Sequence, residues 1–391
     1  MHGPRWTGSE RRSRPAGAVD HEGIPAVSDQ PVDRPSDHPG DAPGPFIDWD
    51  FARVTAARLA SPGPKVNAGE AAGVVAGLRQ AALAAHDPVA ETSRLTSPPG
   101  SAPVLIVDRA GWASANIDSM RELIDPVVAK MAAGMPSQSG EGMAAMGSKI
   151  TGAETGALLA FFSSKILGQY DLAPSGQPRL LLVAPNIVSA EREMGVSPRD
   201  FRLWVAMHEE THRVQFTAVP WLREHMIERS RTLALELAPT PSEFAERIQQ
   251  IAQGLPGAFR PGSTGLAEVF LTPEQKGKIA EITAVMSLLE GHADVIMDDV
   301  GPSVIPTVAE IREKFTQRRA GLGQLDRLIR RLLGLEAKMR QYADGAVFVR
   351  AVVDRVGIDG FNAVWTSPQT LPTAAEMADP LRQQCHNHHQ D

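Results

Sequence analysis

Cysteine is all but absent: Cys385 is the only one among 391 residues, which excludes a disulfide framework and any zinc site built from thiolates. Tyrosine is almost as scarce, with only Tyr170 and Tyr342 available as phenols. No run of ~18 consecutive apolar residues occurs, and Arg5, Arg11, Arg12 and Arg14 near the start are not followed by an apolar stretch. The sequence therefore predicts neither a membrane span nor a secretory leader, and the expected compartment is the cytoplasm. An excess of basic charge is missing too. The formal net charge is −7 and the arginines are scattered, so nucleic acid is not an expected partner.

What is present is a 42% hydrophobic content, enough for a substantial core, with 31 Pro and 34 Gly distributed unevenly. Residues 1–45 are rich in Pro, Gly, Asp, Arg and Ser without apolar periodicity and read as a disordered extension. One folded domain is expected over residues 46–380, with a flexible junction near 134–147, followed by a disordered tail at 381–391 that holds His386, His388 and His389. The bias toward arginine over lysine and the abundant alanine resemble the composition of a high-GC actinobacterial genome.

Periodicity predicts helices at about 49–60, 68–86, 110–133, 151–169, 199–217, 221–237, 241–253, 274–297, 307–333 and 335–356. Strands are expected only at Val104 to Val107 and Arg179 to Val183, and the Gly-rich stretch from Gly254 to Gly265 separates two of the helices. The fold class is mainly α with a small β element, an α+β arrangement.

The most informative segment is His208-Glu209-Glu210-Thr211-His212. Residues four apart stack on one face of a helix, so both imidazoles can reach one metal ion while Glu209 sits beside them as a general base. Phe201, Trp204, Val205, His208 and His212 share one stripe, and Ser197-Pro198 supplies a capped start. Glu210 is expected to face solvent. A catalytic zinc takes three protein ligands, so one more donor is required. Gln215 and Ala218 stand where a metzincin would need glycine and histidine, which excludes that subclass.

The third donor is expected on the helix near residues 274–297. Ile282, Met286, Glu290, Ala293 and Met297 form one stripe there, and an ionised carboxylate among apolar side chains is costly unless paired or metal-bound. Asp294, one turn beyond Glu290, is expected to orient a ligand histidine by accepting its free ring N–H. His292 points about 200° away from Glu290 on a regular helix, and it stands as the alternative ligand or as an oxyanion donor. His225, Arg213, Tyr170 and Tyr342 are further oxyanion-donor candidates.

Trp49-Asp50-Phe51-Ala52, the His208 to His212 segment and the run from Leu288 to Asp298 together resemble a bacterial family of zincin-like metallopeptidases, over roughly residues 46–380. Members of that family are often described only as hydrolases or as associated with deazaflavin coenzyme biosynthesis. The resemblance implies a zincin fold, a zinc cofactor held by His208, His212 and Glu290, and Glu209 as base. It also implies that a strand near the His208 helix pairs with an extended substrate, a role expected here for Leu180 to Asn186. The expected activity is that of a zinc metallopeptidase on a peptide or small amide. A zinc-stabilised scaffold that binds a peptide without cleaving it and a small-molecule amide hydrolase in a cofactor pathway are the alternatives.

Overall fold

The computed structural model describes residues 47–98, 101–133, 141–237, 272–320 and 335–378. The expectations for the 1–45 extension, the 381–391 tail, the 241–253 helix and the Gly254 to Gly265 separator fall outside the described residues.

The first helix, α1 (Trp49–Leu59), is capped by Asp48, whose carboxylate accepts from the Phe51 N–H at 2.8 Å. Next, α2 (Ala68–Ser93) starts on an Asn67 cap and ends where Arg94 turns left-handed at φ 58°. Strand β1 (Val104–Val107) leads into α3 (Arg109–Ala133), and after residues 134–140 comes α4 (Glu141–Ser163), packed against α1 and α3. Residues 141–147 of the expected junction thus open a helix. The helix expected at 151–169 begins earlier and stops at Ser163, where the Ser163 and Ser164 hydroxyls donate to carbonyls three residues back. Residues Gly168–Asp171 then form β2, a strand with no apolar run to announce it.

Strand β3 (Arg179–Val183) lies between β1, to which it is parallel, and β2, to which it is antiparallel. Its four apolar residues in succession have a direct cause. Leu180 and Leu182 pack into a core with α2 and the two helices that follow, while Leu181 and Val183 pack on the other face against Trp49, Trp112 and Ile117 from α1 and α3. A strand buried on both faces has no polar side to alternate with.

The chain passes from β3 directly into α5 (Ala184–Met194), where Pro185 sits in the first turn, and then into α6 (Pro198–Ala218). Helix α7 (Leu222–Leu237) follows. Helix α8 (Pro273–Val304) opens with a capping box in which Thr272 Oγ1 accepts from the Gln275 N–H at 3.2 Å and Gln275 Oε1 accepts from the Thr272 N–H at 3.0 Å. Helices α9 (Val308–Ala320), α10 (Leu335–Phe361) and α11 (Ala374–Ala378) complete the described chain.

Helices α8 and α10 meet through glycine. A Cβ on Gly291 would lie 2.2 Å from the Gly345 carbonyl carbon, and one on Gly345 would lie 2.1 Å from the Ser287 oxygen, so the two backbones touch. This contact backs the segment carrying Glu290, and α6 packs against the same helix. The architecture is mainly α with a small three-stranded sheet, the α-rich form expected of a zincin-like fold. No helix among the described residues is long and apolar enough to cross a membrane.

Candidate metal centre

Helix α6 presents His208 and His212 one turn apart, and α8 presents Glu290 opposite them. The two Nε2 atoms are 3.3 Å apart; Glu290 places one carboxylate oxygen 3.5 Å from His208 Nε2 and the other 3.8 Å from His212 Nε2. Tetrahedral ligands at ~2.05 Å from a zinc ion stand ~3.4 Å from one another, so the donor set and its spacing fit that ion. All three residues offer ligand atoms lying within 4.8 Å of each other. The side chains of His208 and Glu290 remain 26% and 32% exposed while that of His212 is 11% exposed, so the cluster is open to solvent on one side.

The electrostatics tie these side chains to one another. Burial disfavours a charged His212, but Glu290 beside it overrides this and lifts the imidazole pKa to about 9. Burial likewise opposes a charged Glu290, yet His212 and His208 hold its carboxyl well below the usual carboxylate range. Glu209 is buried, and desolvation raises its pKa; the two histidines oppose this shift and Glu290 adds to it. Its side chain lies against β2: a Cβ on Gly168 would sit 2.5 Å from Glu209 Cγ and 2.6 Å from its Cδ and Oε1. Only glycine at 168 lets the edge strand come this close to the carboxylate.

A family model of zincin-like metallopeptidases matches residues 47–382. The chain belongs to that family. A solved structure from Chloroflexus aurantiacus, described there provisionally as a hydrolase with a novel fold, is similar to this zincin-like protein at a TM-score of 0.63 and 29% identity, over 88% of this chain and 100% of that one. Among curated proteins no relative matches. Family and neighbour are both hydrolase-like, and the family implies a metal, typically zinc.

The zincin-like fold brings His208, Glu209, His212 and Glu290 together and leaves other expected residues outside. Asp294 is not placed to orient His208 or His212: its side chain is exposed, and among the described residues its backbone carbonyl accepts from Arg312. Gln215 stands in that place instead, with Oε1 3.0 Å from His212 Nδ1, while Met297 Sδ lies 3.3 Å from His208 Nδ1. His292 is not a ligand either. It is fully buried behind α8, stacked on Phe361 at 5.3 Å and edge-on to Trp365, and its Nδ1 meets Gln215 Nε2 at 2.9 Å. Burial pushes its pKa down to about 3, so it is a neutral ring with no route to the open side.

Glu210, expected to face solvent, is buried. It accepts two hydrogen bonds from Arg213 at 2.6 and 2.7 Å and contacts His86 Nδ1 at 2.8 Å. That pairing, together with the bond to the Ser101 carbonyl, occupies Arg213 and removes it as an oxyanion donor. The Tyr170 ring stacks on Phe216 at 5.2 Å, and its buried hydroxyl, with no hydrogen-bond partner among the described residues, is pushed up to about 12 by desolvation. The Tyr342 side chain lies outside the described residues. Leu180 to Asn186 cannot pair with a substrate: β3 is bonded on both sides, and Ala184 begins α5. Among the described residues, the outer strand beside Glu209 is β2.

Proposed function

We propose that this zincin-like protein is a zinc-dependent hydrolase of peptides or small amides, with His208, His212 and Glu290 as protein ligands and Glu209 as general base. One observation carries the reading: three ligand atoms converge at tetrahedral spacing, one side open, with a buried carboxylate alongside. A closed structural zinc site would have a fourth protein ligand, and the partial exposure of His208 and Glu290 favours catalysis over the scaffold alternative.

Bound zinc supplies Lewis acidity, which polarises a substrate carbonyl and acidifies water. Glu209 accepts the proton from the attacking water and returns it to the leaving group. Its raised pKa suits both steps, because a carboxylate that binds protons more strongly is the better acceptor near neutral pH. Strand β2 forms one wall, and an extended substrate can add to its outer edge with the scissile bond near Glu209.

The test compares the full chain with two variants. Wild type should carry about one more zinc per chain than His212→Ala, a comparison that cancels loose binding by the histidines of the tail. Glu209→Gln should keep the metal and the stability but lose hydrolysis of a peptide library by several orders of magnitude. Equal zinc in wild type and His212→Ala would remove the site from consideration.

A further inference from the structure

We infer that Gln215 is a positioning residue that sets the donor nitrogen of His212 and fastens it to the helix carrying Glu290. This inference rests on the zinc-site reading above. Gln215 is fully buried, and its amide touches three groups: Oε1 lies 3.0 Å from His212 Nδ1, and Nε2 lies 2.9 Å from both the Leu289 carbonyl oxygen and His292 Nδ1.

The direction of every bond follows from one of these groups. A backbone carbonyl can only accept, so the amide end facing Leu289 must be the NH2. The other end is then the oxygen, which can only accept, so His212 must donate to it from Nδ1–H. This leaves the His212 Nε2 lone pair facing His208 and Glu290, the orientation a metal requires. The second amide N–H points at His292 Nδ1, which must be bare, so the His292 proton resides on Nε2. That atom is buried with no hydrogen-bond partner among the described residues, and Phe361 and Trp365 pack around the ring. Leaving a buried N–H unpaired costs free energy, so the arrangement is held by what lies at the other nitrogen.

The consequence is a rigid link between ligands that are remote in sequence. Leu289 immediately precedes Glu290 and His292 is two residues beyond it, so one side chain of α6 grips α8 on both sides of the third ligand. Both of its amide N–H groups and its amide oxygen are engaged. The same glutamine that excludes the metzincin pattern thus takes the role expected of Asp294.

Two measurements on the full chain test this. In 15N NMR, His212 should show an Nδ1–H protected from exchange both with and without zinc, and His292 should carry its proton on Nε2 alone. A proton on His292 Nδ1, or none on His212 Nδ1, overturns the inference whether or not zinc binds, so it can fail separately from the zinc reading. Chelator competition should then show zinc affinity falling ~10–100-fold in Gln215→Met, which fills the space with a thioether that is only a weak acceptor. Gln215→Glu keeps an acceptor for His212 and should retain affinity within about threefold while losing stability through the lost Leu289 contact. A purely packing role predicts equal loss in both, and that result, or a Gln215→Met variant binding within twofold of wild type, overturns the inference. Should Gln215→Met not fold, the two proton positions and the Gln215→Glu affinity still decide it.

Discussion

Gly168 is as much a part of the candidate site as the residues that bear charge. Its missing side chain is the space into which Glu209 fits, so Gly168→Ala should displace the carboxylate while leaving the ligands in place. The expected outcome is unchanged zinc content with turnover reduced at least ~10-fold, since small displacements of a catalytic group are costly. Unaltered turnover would show that Glu209 is not held by β2. The protonation of His212 gives a second prediction at this scale. Its folded pKa of about 9 lies above the ordinary value of 6.5, so in zinc-free protein its stabilising pairing with Glu290 is complete below that ordinary value and is lost as pH rises through 9. Zinc must displace the same proton, so its affinity should climb over that window and level off above it. Denaturant titration of chelated protein and chelator competition at several pH values measure the two trends, which must run in opposite directions.

At the level of elements, the α6 site was readable because both histidines and their apolar stripe lie within one helix, where periodicity is a local property. Glu290 was readable for a related reason, as a carboxylate on an apolar face. The same rule puts Asp294 one turn beyond Glu290, yet four residues is about 40° more than a turn and the side chain faces solvent. Asp294→Ala should therefore change neither zinc content nor stability beyond ~0.5 kcal/mol. Gln215 carries no charge and has no characteristic spacing to its partners on α8, so only the packed structure reveals it. Strand β2 leaves no mark in the sequence because Gly168-Gln169-Tyr170-Asp171 has neither an apolar run nor clear alternation. The contact of α8 with α10 predicts that Gly291→Ala, whose Cβ would meet the Gly345 carbonyl carbon at 2.2 Å, costs ~1–3 kcal/mol or more and weakens zinc binding by shifting Glu290. Denaturation showing a stable variant with normal zinc would mean that α10 does not set the position of α8.

For the whole molecule, the relevant feature is the distance along the chain between the proposed ligands. His208 and His212 are neighbours in any helical stretch, but Glu290 lies roughly 80 residues further on, and bringing it to them in an unfolded chain costs ~4 kcal/mol of closure entropy. The unfolded protein is thus a poor competitor for the ion, and nearly all binding energy is available to the folded state. On the proposed zinc reading, free zinc concentration would then control how much protein stays folded: each tenfold rise above the dissociation constant should add ~1.4 kcal/mol to the unfolding free energy. An unfolding midpoint that does not move with buffered zinc would mean that metal and fold are uncoupled. If it moves as expected, the abundance of this protein in a cell would follow the supply of the ion as well as the rate of its synthesis, and scarcity of metal would clear the protein by exposing it to proteolysis.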